Sequence, residues 1–137
     1  MISSVVCLTT VGSRSVAEKI GRRLVAERTA ACVNVVPRLV SFYHWKGKLC
    51  RDRESLLVIK TTSAKVKKLE RLLHQIHPYD LPEFVVLSMR GGSQRYLDWI
   101  RKSVKSTSKN CPSALLPSRQ RSSRTSQVRS GLWLAGA

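Results

Sequence analysis

Two hydrophobic periods alternate along the first hundred residues, and their order limits the folds that the chain can adopt. Strand-like apolar runs and helix-like apolar repeats follow each other at 5–8, 16–25, 32–59, 66–76 and 83–89. The segment 32–59 is long enough for two strands, so the order is β-α-β-β-α-β, and a further helical pattern follows at 96–104. Two βαβ units joined by a hairpin predict an α+β, ferredoxin-like sandwich with an additional C-terminal helix.

The ends of the two longer helices are indicated by capping and breaking residues. Ser15 and Glu18 have the spacing of a capping box at the start of the first helix. Thr62 or Ser63 is placed to cap the second helix, and Pro78 is placed to end it. Both helices should cover the same face of the sheet, which leaves the other face in need of a partner.

The segment between the two helices has the composition of a long hairpin. Branched and aromatic residues lie on both sides of a turn at Gly47, and Pro37, which cannot donate to a ladder, predicts a bulge or an edge position. Tyr43 and Trp45 alternate with Phe42 and His44, so one pair should face inward and the other should face outward or towards a neighbouring subunit. We expect Tyr43, Trp45 and Gly47 to lie at an interface between subunits, because aromatic hairpins of this kind need to be covered.

A change in composition near residue 105 divides the chain. Residues 1–105 contain all the periodic segments and predict one domain, whereas residues 106–137 are rich in Ser and Arg and contain no acid. Such a segment cannot bury enough apolar surface to offset its conformational entropy. We therefore predict a basic, disordered tail over 106–137.

The net charge of +17 makes polyanions possible partners. However, no strand has the aromatic pattern of an RNA-recognition motif, so no specific nucleic acid is expected. No window is apolar enough to insert into a membrane, and no signal peptide precedes the first strand. Four irregularly spaced cysteines without a C-x-x-C pair indicate free thiols, and we expect a cytoplasmic protein.

Four ordered motifs resemble those of the CutA divalent-cation tolerance family. The segment 29–34, TAACVN, is similar to that family's A-A-C-x-N; 41–48, SFYHWKGK, is similar to its S-x-Y-x-W-x-G-K hairpin. The strand 54–61, ESLLVIKT, and the segment 77–83, HPYDLPE, resemble the next two motifs. The resemblance covers residues 5–104 and implies a homotrimer in which long hairpins pack across neighbouring subunits.

The resemblance also implies association with copper or another divalent cation, with no organic cofactor. In bacterial relatives, copper ligation involves a first-strand cysteine and two consecutive histidines before Pro-Tyr. The corresponding positions here are Thr9, Ile76 and His77, so only His77 matches. Cys7 lies two residues before Thr9 and on the same side of the strand, which makes it a substitute ligand by position.

A cluster of polar residues at strand and helix ends is the other candidate site. Lys60, Tyr79, Asp80 and Glu83, with His77, combine charges and hydrogen-bonding groups and predict a shared cleft. The alternative interpretation is a structural salt-bridge network.

The resemblance therefore implies a trimeric protein of metal tolerance, and the lack of a nucleophile–base motif or a phosphate-binding loop predicts that it is non-catalytic. Two alternatives remain within the same class of fold: a PII-like nucleotide sensor that binds at clefts between subunits, and a protein-interaction or anchoring module. An acylphosphatase-like enzyme is a third alternative, based only on Arg14 after Gly12-Ser13.

Overall fold

The structure is a computed structural model that describes residues 2–105; the predicted tail, 106–137, lies outside the described residues. The elements are β1 Ser4–Val11, α1 Arg14–Ala26, β2 Cys32–Trp45, β3 Lys48–Thr62, α2 Val66–Ile76, β4 Val85–Ser88 and α3 Gln94–Val104. A 3-10 turn, Ser63–Lys65, leads into α2. The predicted order of elements is confirmed, including the third helix.

The four strands form one antiparallel sheet in the order β2-β3-β1-β4. β1 pairs with β3 from Ser4↔Thr62 to Val11↔Ser55, and β4 pairs with the first half of β1. β2 pairs with β3 on its other side. This arrangement is the ferredoxin-like topology, so the predicted α+β fold is confirmed.

The main core lies between one face of this sheet and the helices α1 and α2. Alternate residues of the two central strands are buried, as expected when successive side chains point to opposite faces. They pack with Ala17, Ile20 and Leu24 of α1 and Leu69, Leu72 and Leu73 of α2. The opposite face of the sheet is only partly covered: Val36, Val85 and Leu87 are exposed.

The N-terminus of α1 differs from the predicted capping box by two residues. Ser13, not Ser15, is the N-cap: its Oγ accepts a hydrogen bond from the Val16 N–H at 3.1 Å. Glu18 pairs instead with Arg14, one turn earlier. Only Ser15 has the capping-box spacing to Glu18, but Ser13 has the extended backbone of an N-cap residue, so Ser13 acts as the cap.

The second helix also begins differently from the prediction. Neither Thr62 nor Ser63 makes a side-chain capping hydrogen bond. A 3-10 turn precedes α2, and its backbone hydrogen bonds take the place of a side-chain cap. Its C-terminus is as predicted, with Ile76 as the last helical residue before His77 and Pro78.

Helix α3 forms a second hydrophobic cluster, separate from the main core. Ile100 and Val104 are buried with Ala31, and Tyr96, Leu97 and Trp99 pack around them. The Arg28 guanidinium donates a 2.9 Å hydrogen bond to the Ser103 carbonyl and so links the end of α1 to α3. α3 contacts the end of the sheet where β1 begins and β3 ends.

The β2–β3 hairpin extends beyond the sheet. β1 pairs only with residues 55–62 of β3, so residues 39–54 form a two-stranded ribbon. At its tip, Lys46 and Gly47 both have positive φ values, 51° and 77°, as a two-residue hairpin turn requires. The predicted irregularity at Pro37 is confirmed as a break in register between Val36 and Leu39.

We predict that Leu24→Ala lowers the free energy of unfolding by about 2–5 kcal/mol, because Leu24 is completely buried in the main core. The adjacent Val25 is 40% exposed on the same helix, so Val25→Ala should change stability by less than about 0.5 kcal/mol. Urea denaturation at a fixed protein concentration measures both values. Equal losses for the two variants would contradict this assignment of the core face.

Candidate functional site

A pocket of about 520 Å³ lies between the hairpin ribbon and the segment that follows α2. The ribbon contributes Ser41, Phe42, Tyr43, Trp45 and Glu54, and the segment contributes Pro78, Tyr79, Asp80, Leu81 and Glu83. Thr10, near the end of β1, completes the lining. We call this cavity the hairpin pocket. It brings together three of the residues predicted for the cleft, namely Tyr79, Asp80 and Glu83.

Glu54 is the buried acid of the hairpin pocket. Only 8% of its surface is exposed, and it accepts a 2.9 Å hydrogen bond from the Tyr79 hydroxyl. Among residues 2–105, no Lys, Arg or His makes an ion pair with it. Burial and the hydrogen bond to Glu54 both raise the pKa of Tyr79, so this phenol stays protonated and keeps donating at neutral pH.

The ribbon provides a second phenol–carboxylate pair at the outer part of the pocket. Tyr43 donates a hydrogen bond to Asp52, which raises the pKa of Tyr43 to about 12. Phe42, Tyr43, His44 and Trp45 are all exposed, so the predicted division into an inward and an outward pair is not found within the subunit. In the part of the chain that the structure describes, no helix layer covers either side of the ribbon.

His77 does not line the hairpin pocket, but it contacts Thr10 and Tyr79, which do. It is largely buried; its Nε2 lies 2.8 Å from the Thr10 carbonyl and its Nδ1 accepts from the Tyr79 N–H at 3.1 Å. These contacts fix the tautomer with the proton on Nε2. Its ring also contacts the Tyr79 ring edge-on, with centroids 4.8 Å apart. Both nitrogens are therefore used in positioning the segment 77–79.

The other predicted or implied copper donors are buried in the main core. Cys7 is completely buried, and burial raises the pKa of its thiol to about 11, which disfavours the thiolate that metals bind. Thr9 presents a buried hydroxyl without a hydrogen-bond partner among the described residues, and a neutral hydroxyl is a weaker copper ligand than a thiolate or an imidazole. Within residues 2–105, no group of three or more His, Cys, Asp or Glu side chains could hold a metal ion. The residues present therefore do not fit a copper site within the subunit.

Lys60 does not belong to the hairpin pocket of the subunit. Its ammonium group donates to the Asn34 side chain, and it pairs across the sheet with Val6 and Cys32. Six residues of extended strand separate it from Glu54, which is a distance of about 20 Å. The predicted cleft thus keeps three of its four members.

Glu54 and Asp52 are the site residues that the sequence interpretation missed. Both lie in or next to the motif 54–61, and neither has a neighbour in sequence that reveals its partner. One feature of the sequence could have indicated them: Asp52, Glu54, Asp80 and Glu83 make up four of the eight acidic residues in the chain and lie in or beside the two motifs 54–61 and 77–83.

A ferredoxin-like subunit with a protruding aromatic hairpin is thus the class of protein that the fold and pocket define. The family described as CutA1 divalent ion tolerance protein matches residues 5–103 of the chain. The chain belongs to this family.

Individual relatives agree with this assignment. The divalent-cation tolerance protein CutA of Thermus thermophilus is 47% identical over 99 residues, which are 72% of this chain and 96% of that protein. A solved structure of the divalent cation tolerance protein Cut A1 from the same organism has a TM-score of 0.72 and 46% identity, and the match covers 73% of this chain and 97% of the other.

A plant relative is similar over the same domain. The Arabidopsis thaliana protein CutA, chloroplastic, is 39% identical over 104 residues, or 76% of this chain, but the match spans only 57% of that relative's length. In the described part of the chain, no helix is both long and apolar enough to cross a membrane.

We predict that Tyr79→Phe costs about 1–3 kcal/mol of unfolding free energy, because it leaves the buried Glu54 carboxylate without its hydrogen bond. Tyr43→Phe is the matched control: it removes the same hydroxyl from an exposed pair and should leave the stability nearly unchanged. Chemical denaturation of the two variants at neutral pH tests this difference. A Tyr79→Phe protein as stable as Tyr43→Phe would show that Glu54 needs no buried partner.

Proposed function

We propose that the chain acts as a homotrimeric, non-catalytic protein of divalent-cation tolerance in the cytoplasm, with the hairpin as its assembly surface. Membership of the CutA1 family supports the link to cation tolerance, and the relatives are named as tolerance proteins rather than enzymes. The uncovered aromatic ribbon is the observation on which the assembly part of the proposal depends.

The ribbon and pocket expose several large apolar side chains. Phe42, Leu49 and Leu81 have 67%, 71% and 72% of their surfaces exposed, and Tyr43 and Trp45 lie beside them. Contiguous apolar patches of this kind indicate a surface for another protein. The outer strands β2 and β4 also present free edges, which a neighbouring copy can pair or cover. The same surface would serve an anchoring partner once the trimer is formed.

The chemistry of the described side chains supports a non-catalytic role. The thiol of Cys7 is protonated at neutral pH and enclosed in the core. His77, the buried histidine, has both nitrogens occupied by backbone groups. Tyr79 and Tyr43 each donate to a carboxylate at the hairpin pocket, but the pKa of both phenols is raised, which disfavours the phenolate that a covalent mechanism needs.

The charges in the hairpin pocket argue against the alternative that this protein is a nucleotide sensor. Its aromatic walls would suit a nucleotide base, but Glu54, Asp80 and Glu83 line the pocket and would repel the phosphates of a nucleotide.

Association with copper is proposed as weak, because binding at His77 must replace hydrogen bonds that already hold the segment 77–79.

We predict that the full chain forms particles of three subunits, each of 15.4 kDa, in light scattering at micromolar concentration. Phe42→Asp should shift the particles to smaller species, since it places a charge at the centre of the apolar ribbon. Val25→Asp, an exposed apolar position on α1, is the control and should leave the trimer intact. A wild-type monomer, or a Phe42→Asp trimer, would contradict the proposed assembly surface.

We further predict weak copper binding, in the micromolar range or above, that His77→Ala reduces. His74→Ala removes an exposed histidine of α2 and is the matched control. Calorimetric titration of Cu(II) into the three proteins compares them directly. Binding that is equally strong in wild type and His77→Ala would remove His77 from the site.

A further inference from the structure

A second concave surface lies next to the hairpin pocket and shares Glu54 with it. This groove encloses about 200 Å³ and is lined, apart from Glu54, by Gly12, Arg14, Pro37, Arg38, Arg53 and Ser55. We call it the arginine groove. Its lining comes from the β1–α1 loop, the start of α1, the irregular part of β2 and the middle of β3.

Three arginines from separate parts of the chain line the arginine groove. Arg14 makes an exposed ion pair with Glu18 at 3.2 Å, whereas Arg38 and Arg53 make none with the described residues. Like charges that share a small groove repel each other, and the single acid in the lining leaves an excess of two positive charges. A bound anion would remove this repulsion.

The backbone conformation of Arg38 is a second indication that the groove binds an anion. Arg38 has a φ of 64°, in the left-handed region, at the break in register between Val36 and Leu39. A non-glycine residue in this conformation costs stability, of the order of 1 kcal/mol, and such irregularities often redirect a side chain towards a functional site. Here the residue at the irregularity is Arg38, which lines the groove together with Arg14 and Arg53.

We infer that the arginine groove binds a small phosphate-type oxyanion, either free phosphate or a phosphate monoester. Guanidinium groups match the oxygen geometry of phosphate and make charge-assisted hydrogen bonds to it. The groove also lies at the amino end of α1, where unpaired N–H groups add partial positive charge. Its volume is below that of pockets for drug-sized ligands, which favours a single phosphate group over a nucleotide or a nucleic-acid strand.

The test is calorimetric titration of the full-length protein with inorganic phosphate and, separately, with glycerol phosphate, at constant ionic strength set by chloride. We expect binding of one phosphate group per subunit, weakened about tenfold by Arg53→Ala or Arg38→Gly. Arg38→Gly also removes the left-handed strain, so its stability should be equal to or above that of wild type, and its loss of binding cannot come from misfolding.

Arg22→Ala is the matched control, since it removes an exposed arginine of α1 that lies outside the groove. Binding in this variant should remain at the wild-type level. Equal losses in Arg22→Ala, Arg38→Gly and Arg53→Ala would overturn the site and assign the effect to the overall charge. Absence of binding for both phosphate and glycerol phosphate would overturn it as well. Preference for glycerol phosphate over phosphate would identify a monoester as the ligand.

Discussion

The pairing of β1 with β3 is the constraint on which the rest of the structure depends. These strands occupy the centre of the sheet, and their alternate residues form the floor of the main core under α1 and α2. β1 is eight residues long and β3 is fifteen, so β3 and its partner β2 must continue beyond the sheet as an unsupported ribbon. The hairpin pocket and the arginine groove both lie at the point where β1 ends and this ribbon begins. The two candidate sites therefore follow from a mismatch in strand length.

Most of the fold could be predicted from the sequence because its elements depend on local patterns. The helix periods at 16–25 and 66–76, the turn at Gly47 and the irregularity at Pro37 each reflect a preference of a few neighbouring residues. Helix N-termini were less predictable. Ser13 and Ser15 have the same side chain, and the choice of cap depends on the direction in which the chain leaves β1. Gly21 is a similar case: a Cβ there would lie 3.1 Å from Val33, a close approach that only the packed structure reveals.

The candidate site could be predicted only where its members are close in sequence. Tyr79, Asp80 and Glu83 belong to one segment and do share the pocket. Lys60 was grouped with them although it lies six residues along β3 from Glu54, towards the opposite end of the strand. Glu54 itself was missed, because its contact with Tyr79 spans 25 residues and depends on where the segment after α2 crosses the ribbon. The convergence of Arg14, Arg38 and Arg53 was equally hidden, since it requires the sheet register and the bulge together.

Membership of a cation-tolerance family and the absence of a preformed copper site within residues 2–105 have one physical explanation. Thr9 is completely buried on the side of β1 that faces the helices. It leaves a hydroxyl without a partner among the described residues, at a cost of about 1–3 kcal/mol, which a core of this size can accommodate. His77 likewise keeps a structural role, since its two hydrogen bonds join β1 to the segment that walls the pocket. In this chain the side chains at positions 9 and 77 therefore serve packing and hydrogen bonding within the subunit.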